Sequence, residues 1–291
     1  MQLLDFLHSS ALALNTTVTI TGMMVGSFLN VVIYRLPVMM QKGWREECCE
    51  FLEIENGHQA GDEAFNLVTP RSRCPNCQHA IKAWENIPLI SYLLLGGRCK
   101  ACQKPISLRY PSIEVLTGIL SLVVVLHFGY SAQLIPALLL TWALVALSFI
   151  DFDHQLLPDD ITLPFLWLGL LCNLFGLFTH IYSSVIGAIA GYMILWLIYI
   201  TFKILTGKEG MGHGDFKLLA LLGAWMGWEI LPLTIILSSL CGAIVGISLI
   251  VFASHDRKKA IPFGPYLSMA GWIALIWGEQ ILASYDQWLM P

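Results

Sequence analysis

Eight apolar stretches dominate the sequence, near residues 11–33, 113–129, 133–150, 161–179, 184–203, 216–230, 232–253 and 265–283. Each approaches the roughly 20 mostly apolar residues that a helix needs to cross a bilayer, the sixth being the shortest. Lipid offers no partner to backbone N–H and C=O groups, so such segments must close their hydrogen bonds internally, as helices. With 56% hydrophobic residues, 12% charged residues and a mean hydropathy of +0.69, the composition excludes an ordinary soluble domain. The expected fold is therefore an all-α polytopic membrane protein with about eight transmembrane helices. The first stretch lacks a basic leader and runs on through Val31-Val32-Ile33-Tyr34, so it reads as a retained helix and not as a cleaved signal.

Basic residues set the orientation. With eight crossings, all 16 Lys and Arg fall on one side, among them Arg35, Lys42, Arg45, Lys203, Lys208, Lys217, Arg257, Lys258 and Lys259. Loops near 128–132, 180–183 and 229–232 carry none. By the positive-inside rule the basic side is cytoplasmic, which sends both termini to the outer face. The bilayer is the expected surrounding, and no nucleic-acid partner is expected.

Residues 35–110 alone have a soluble composition, which divides the chain into a first transmembrane helix (1–34), a small cytoplasmic domain inserted after it (35–110) and a transmembrane part (111–291). The inserted domain carries Cys74-Pro75-Asn76-Cys77 and Cys99-Lys100-Ala101-Cys102. Two Cys-x2-Cys pairs read as a tetrahedral zinc site with four thiolate ligands. Disulfides or redox thiols are the alternative, and a reducing cytoplasm disfavours structural disulfides. Four thiolates leave no open coordination position, so the zinc is expected to be structural and to supply folding energy to a thin core. Cys48, Cys49, Cys172 and Cys241 read as non-ligands. Gly22/Gly26, Gly187/Gly191, Gly223/Gly227 and Gly242/Gly246 have the small-xxx-small spacing of close helix packing.

Two acidic segments sit at the ends of apolar stretches: Asp151-Phe152-Asp153-His154 with Pro158-Asp159-Asp160, and Gly212-His213-Gly214-Asp215. Carboxylates at membrane depth or at its edge are functional suspects. Two Asp side chains sharing one proton can hydrolyse a peptide: the ionised one deprotonates water while the protonated one polarises the carbonyl. Asp151 and Asp215 are the expected pair, with Gly212 and Gly214 leaving room for a substrate backbone. A plain helix-capping role is the competing reading for each Asp.

Gly212-His213-Gly214-Asp215 resembles the Gly-x-Gly-Asp signature of intramembrane aspartyl proteases, and Ile150-Asp151 with Pro158-Asp159 looks like the bacterial type IV prepilin peptidases. Gly26–Pro37, the paired cysteines, Arg109–Glu114 and Ile261–Pro265 are similar to blocks of the long, bifunctional form, so the resemblance covers nearly the whole chain. Only 43–68 reads as an idiosyncratic insert.

The resemblance implies an enzyme of the bacterial inner membrane that removes the basic leader of prepilins and pseudopilins at the cytoplasmic face. It further implies methylation of the new N-terminus with S-adenosylmethionine. Asp151 and Asp215 would be catalytic, 35–110 would serve the methyltransferase and 111–291 the peptidase. Asp153, Asp159 and Asp160 are rivals in the first segment; Asp159 reads as the N-cap of the fourth helix, and His154 and His213 could tune local charge. Candidates for holding the methyl donor are Asn30, Arg35, Glu85, Arg98, Arg109 and Glu114. Two other functions stay open at this level: a peptidase with a vestigial zinc domain, and a transporter whose Asp residues carry protons or cations.

Overall fold

The computed structural model describes residues 8–54, 65–252 and 261–289, and among these it is helical with no strand. Arg257, Lys258 and Lys259 lie outside the described residues, as do the terminal residues whose side of the membrane the charge pattern assigns. All eight expected stretches fall on helices. Five helices are long and apolar enough to cross a bilayer: Ala11–Phe51, Arg109–Phe128, Leu134–His154, Ile181–Thr206 and, over Leu231–Leu249, the helix before the last. The chain is a multi-pass membrane protein. The other three stretches fall on Asp159–Leu174, His213–Met226 and Gly264–Leu289, which do not meet that criterion.

The chain forms two compact units, the first ending at Tyr130 and the second beginning at Ser131. In the first, α1 (Ala11–Phe51) starts at Ser10, whose hydroxyl accepts the N–H of Ala13, and continues as one helix past Pro37, well beyond the expected apolar limit at 33. Helix formers such as Leu36, Met39, Met40, Gln41 and Lys42 carry it on. A short helix, α2 (Ile90–Leu94), precedes α3 (Arg109–Phe128). A Cβ on Gly22 would strike the Ser121 side chain, and one on Gly26 would come 2.8 Å from Glu114 Cα. These glycines let α1 and α3 lie nearly backbone to backbone.

The second unit contains α4 (Leu134–His154), α5 (Asp159–Leu174), α6 (Ile181–Thr206), α7 (His213–Met226), α8 (Leu231–Phe252) and α9 (Gly264–Leu289). Helix α7 is enclosed: Asp215, Phe216 and Leu218 through Trp225 are all buried, and α5, α6, α8 and α9 all touch it. The α6 contact is closest, because a Cβ on Gly223 would overlap the Gly187 backbone and one on Gly191 would come 2.6 Å from Leu219 O. Gly242 and Gly246 differ, meeting only the side chains of Tyr266 and Ile261 at 3.4 and 3.5 Å. Trp225 packs its ring on Gly169 and donates from Nε1 to Phe165 O at 2.8 Å, locking α7 to α5.

Helix α5 ends at Leu174 and not near 179 because Asn173 closes a turn there. Its Oδ1 accepts from Phe178 and Thr179 N–H at 3.1 Å each, while Nδ2 donates to Ala224 O, Trp225 O and Ser184 Oγ. One buried amide thus ties the α5–α6 turn to the end of α7. Replacing Gly223 by Ala sets a methyl against backbone that cannot swing aside; we expect it to cost about 1–3 kcal/mol, read as a lower melting temperature in detergent. Gly246→Ala, in ordinary contact, should leave the melt nearly unchanged.

Candidate active site, cysteine cluster and cleft

Helix α4 delivers Asp151 in its last turn, and Gln155, in a left-handed conformation (φ 53°), ends the helix there. Helix α7 delivers Asp215 in its first turn, after Gly212 as N-cap. Both carboxylates are buried, with 6% and 7% of their surface exposed, and they are near enough for their charges to interact. Each also meets a backbone amide. Gly264 N–H, at the start of α9, donates to Asp151 Oδ2 at 2.9 Å, and Gly212 N–H bonds the Asp215 carboxyl. Such a pair, held in low dielectric, can carry one shared proton. Asp215, the third residue of α7, can cap the helix through the N-cap Gly212 and also lies near enough to Asp151 for the two charges to interact.

Gly214 sits against Leu157, where a Cβ would come 2.8 Å from Leu157 Cβ, and Gly212 faces Asp215 Oδ2. Asp153 is exposed, unlike this pair, and has an interaction partner of its own. Asp160 is exposed too. Asp159 is not the N-cap of α5; Pro158 is, and Asp159 instead accepts Lys217 Nζ at 2.7 and 2.8 Å, linking α5 to α7 two residues past Asp215. The ammonium on α7 outcompetes the capping role. His213 is exposed and lies in an aromatic group with Tyr199 and Phe216, at ring distances of 5.2 and 5.4 Å.

In the first unit the four sulfurs of Cys74, Cys77, Cys99 and Cys102 lie within 4.8 Å of one another, with Cys74–Cys102 and Cys77–Cys99 at 3.9 Å. A tetrahedron with metal–sulfur bonds of about 2.3 Å has edges of about 3.8 Å, so the donor set fits a metal ion. The two pairs are copies of one turn. Cys74 N donates to His79 O and Cys99 N to Lys104 O, each at 2.9 Å; Gln78 and Gln103 both stand at φ 58°. N–H groups of Cys77 and Asn76 hold the Cys74 thiol down at about 6, and those of Cys102 and Ala101 lower Cys99. Against the hydrogen bond from His79, desolvation and the neighbouring sulfurs push Cys77 up to about 12. Four thiolates at one point would need a cation to neutralise them, so the cluster could hold a metal ion.

Beside the cluster is a cleft of about 780 Å³, lined by residues including Asn30, Tyr34, Arg35, Glu85, Tyr92, Tyr110 and Glu114. Arg35 is buried, donating to Asn66 O at 2.9 Å and Pro70 O at 2.6 Å, and Glu114 accepts Leu89 N–H at 2.9 Å. Asn30 donates to Gly26 O and Tyr110 O at 3.2 Å. Glu85 joins both cysteine turns: it meets His79 at 3.3 Å and Lys100 at 3.4 Å. Lys82 N–H, then His79 and Lys100, hold its carboxyl below the usual range. Four of the six donor-site candidates thus share one cleft; Arg98 is exposed, and neither it nor Arg109 lines it.

Family models match on either side of the boundary between the units. Residues 20–128 match the bacterial peptidase A24 N-terminal domain, and 138–247 match the type IV leader peptidase family. A prepilin leader peptidase/N-methyltransferase of Stutzerimonas stutzeri is 56% identical over 97% of both chains. The chain belongs to the type IV leader peptidase family. Proteins of the same name from Pseudomonas aeruginosa and Neisseria gonorrhoeae are 54% and 48% identical, over 99% and 93% of this chain and 98% and 93% of their own. No solved structure matches.

For this family member, sequence reasoning left Leu157 and Gly264 without a role. Gly264 stood inside the Ile261–Pro265 block, and its spacing carries no chemical signal because its contribution is a main-chain N–H. The cysteine cluster gives a direct test: elemental analysis of the wild-type chain is expected to find about one metal ion per chain, and of the Cys74→Ser, Cys77→Ser chain close to none.

Proposed function

We propose that this protein is a membrane aspartic endopeptidase that removes the leader of prepilins and pseudopilins and then methylates the new N-terminal amine with S-adenosylmethionine. The observation that carries the reading is the pair of buried, mutually interacting carboxylates of Asp151 and Asp215, in a chain 56% identical over 97% of its length to a protein named for both activities. In this reading it sits in the bacterial inner membrane with eight crossings, the dyad at the cytoplasmic face and both termini in the periplasm. Its substrates serve type IV pili or type II secretion. A basic leader stays in the cytoplasm while the following apolar helix lies in the bilayer, so the scissile bond reaches the membrane edge.

Hydrolysis then follows from one proton shared by two carboxyls. The ionised Asp takes a proton from water as its oxygen attacks the scissile carbonyl carbon, and the protonated Asp gives its proton to the carbonyl oxygen. Collapse of the gem-diol breaks the C–N bond; the amine takes the first proton and the second Asp regains its own. Burial keeps both carboxyls out of bulk water during these transfers.

Methyl transfer belongs to the cytoplasmic part, residues 35–110 with the adjoining ends of α1 and α3, and the peptidase chemistry to 111–291, in its portion from Ser131 onward. Zinc held by Cys74, Cys77, Cys99 and Cys102 is structural. S-adenosylmethionine supplies an electrophilic methyl group, and the cleft volume suits a ligand of that class. Glu85 and Glu114 offer carboxylates to its cationic or hydroxyl groups, with Asn30 and Arg35 shaping the same wall; Arg98 and Arg109 contribute from outside the lining. Because Glu85 meets residues of both cysteine turns, loss of the metal loosens the cleft as well. The transporter reading is not favoured, since the relatives carry peptidase and methyltransferase names.

Mass spectrometry of a prepilin incubated with the reconstituted protein, with and without S-adenosylmethionine, tests both halves. Wild type is expected to remove the leader and add one methyl group; Asp151→Asn and Asp215→Asn, folded and inserted, are expected to cleave at least 10³-fold more slowly. Leader loss without a methyl group leaves a peptidase only. The Cys74→Ser, Cys77→Ser chain is expected to cleave but not methylate; normal methylation without metal would refute the coupling of cleft and cluster.

A further inference from the structure

The opening of α9 has one amide to dispose of. Pro265 has no N–H, and Tyr266 and Leu267 N–H both bond to Phe263 O. Gly264 N–H, which has no helical carbonyl to reach, is buried and donates to Asp151 Oδ2 at 2.9 Å. The approach leaves no room for a side chain. A Cβ on Gly264 would stand 2.6 Å from Asp151 Oδ2, 3.1 Å from its Cγ and 3.2 Å from Leu157 Cδ2.

Leu157 is also what Gly214 packs against, so one leucine fills the space between the glycine beside Asp215 and the glycine beside Asp151. The two aspartates are held alike. Gly212 gives its N–H to Asp215 from the start of α7, and Gly264 gives its own to Asp151 from the start of α9. The difference lies in chain distance: Gly212 is a near neighbour of its aspartate, whereas Gly264 comes from a separate helix.

Resting on the reading of Asp151 and Asp215 as the peptidase pair, we propose that Gly264 is a positioning residue for leader cleavage. Its N–H occupies Asp151 Oδ2, fixes the carboxyl rotamer and leaves Oδ1 as the oxygen for proton transfer, whichever of the two aspartates is ionised at the start. Any side chain at 264 pushes the Asp151 carboxyl off this position. A displacement of about 1 Å at a reacting group costs on the order of 100-fold in rate.

The test compares Gly264→Ala with Gly271→Ala in the full-length reconstituted protein, using prepilin cleavage kinetics and thermal melts. A Cβ on Gly271, further along the same helix, meets Leu222 at 2.5 Å and neither aspartate, so it reports the cost of disturbing the seating of α9 alone. Gly264→Ala is expected to lower kcat about 100-fold with KM within about twofold and a cooperative melt retained; Gly271→Ala is expected to lower the melting temperature while kcat stays within a few-fold of wild type. A Gly264→Ala enzyme with wild-type kcat overturns the proposal. So does an equal loss of kcat in both variants, which would make Gly264 a packing residue only. Asp151→Asn, run alongside, separates the two levels: if it cleaves normally, the assignment of the pair fails, whatever Gly264→Ala does.

Discussion

Backbone contact between α6 and α7 at Gly187 and Gly223 governs the second unit. Interfaces inside lipid gain little from apolar burial, so close approach through small residues supplies the packing energy. Once α7 is pressed against α6, its remaining surface can be covered on all sides, and it is: Phe216 and Leu218 through Trp225 are buried. An enclosed helix of 14 residues has little freedom to slide or turn, and Asp215 stands in its first turn. The same enclosure explains the buried polar links at its far end, where Asn173 and Ser184 reach Ala224 O.

The fold was largely legible because in a bilayer hydrophobic length translates directly into helices. All eight stretches are helical, and the shortest of them is α7. Boundaries were less legible. Helix α1 overruns its apolar stretch because helix propensity, not hydropathy, decides where a helix leaving the bilayer stops. Helix α5 stops short because a polar side chain, Asn173, takes over the turn.

The site divides in the same way. Asp215 beside its glycines, Asp151 at the end of an apolar stretch and the paired Cys-x2-Cys turns are conspicuous, since side-chain type and local spacing point to a chemistry. Asp159 was misread because its partner, Lys217, lies on a different helix, and only the packing of α5 on α7 brings them together. Gly264 was missed for a related reason: the group it contributes is common to almost every residue. Arg98 and Arg109 were singled out with Asn30, Arg35, Glu85 and Glu114, and only the latter four line the cleft, because lining depends on how the cysteine turns pack and not on charge.

The length of α1 has a mechanical meaning. Forty-one helical residues extend about 60 Å, and the hydrocarbon core is about 30 Å thick. The helix is therefore about twice as long as one crossing requires, a single element continuous past Pro37. Arg35, buried near its middle, fastens the 66–70 segment to it through two main-chain carbonyls, and Phe65 lies against both Arg35 and Lys42. The segment leading into the cysteine turns is thus fastened to the same helix that supplies a candidate membrane span, so the two share one lever arm.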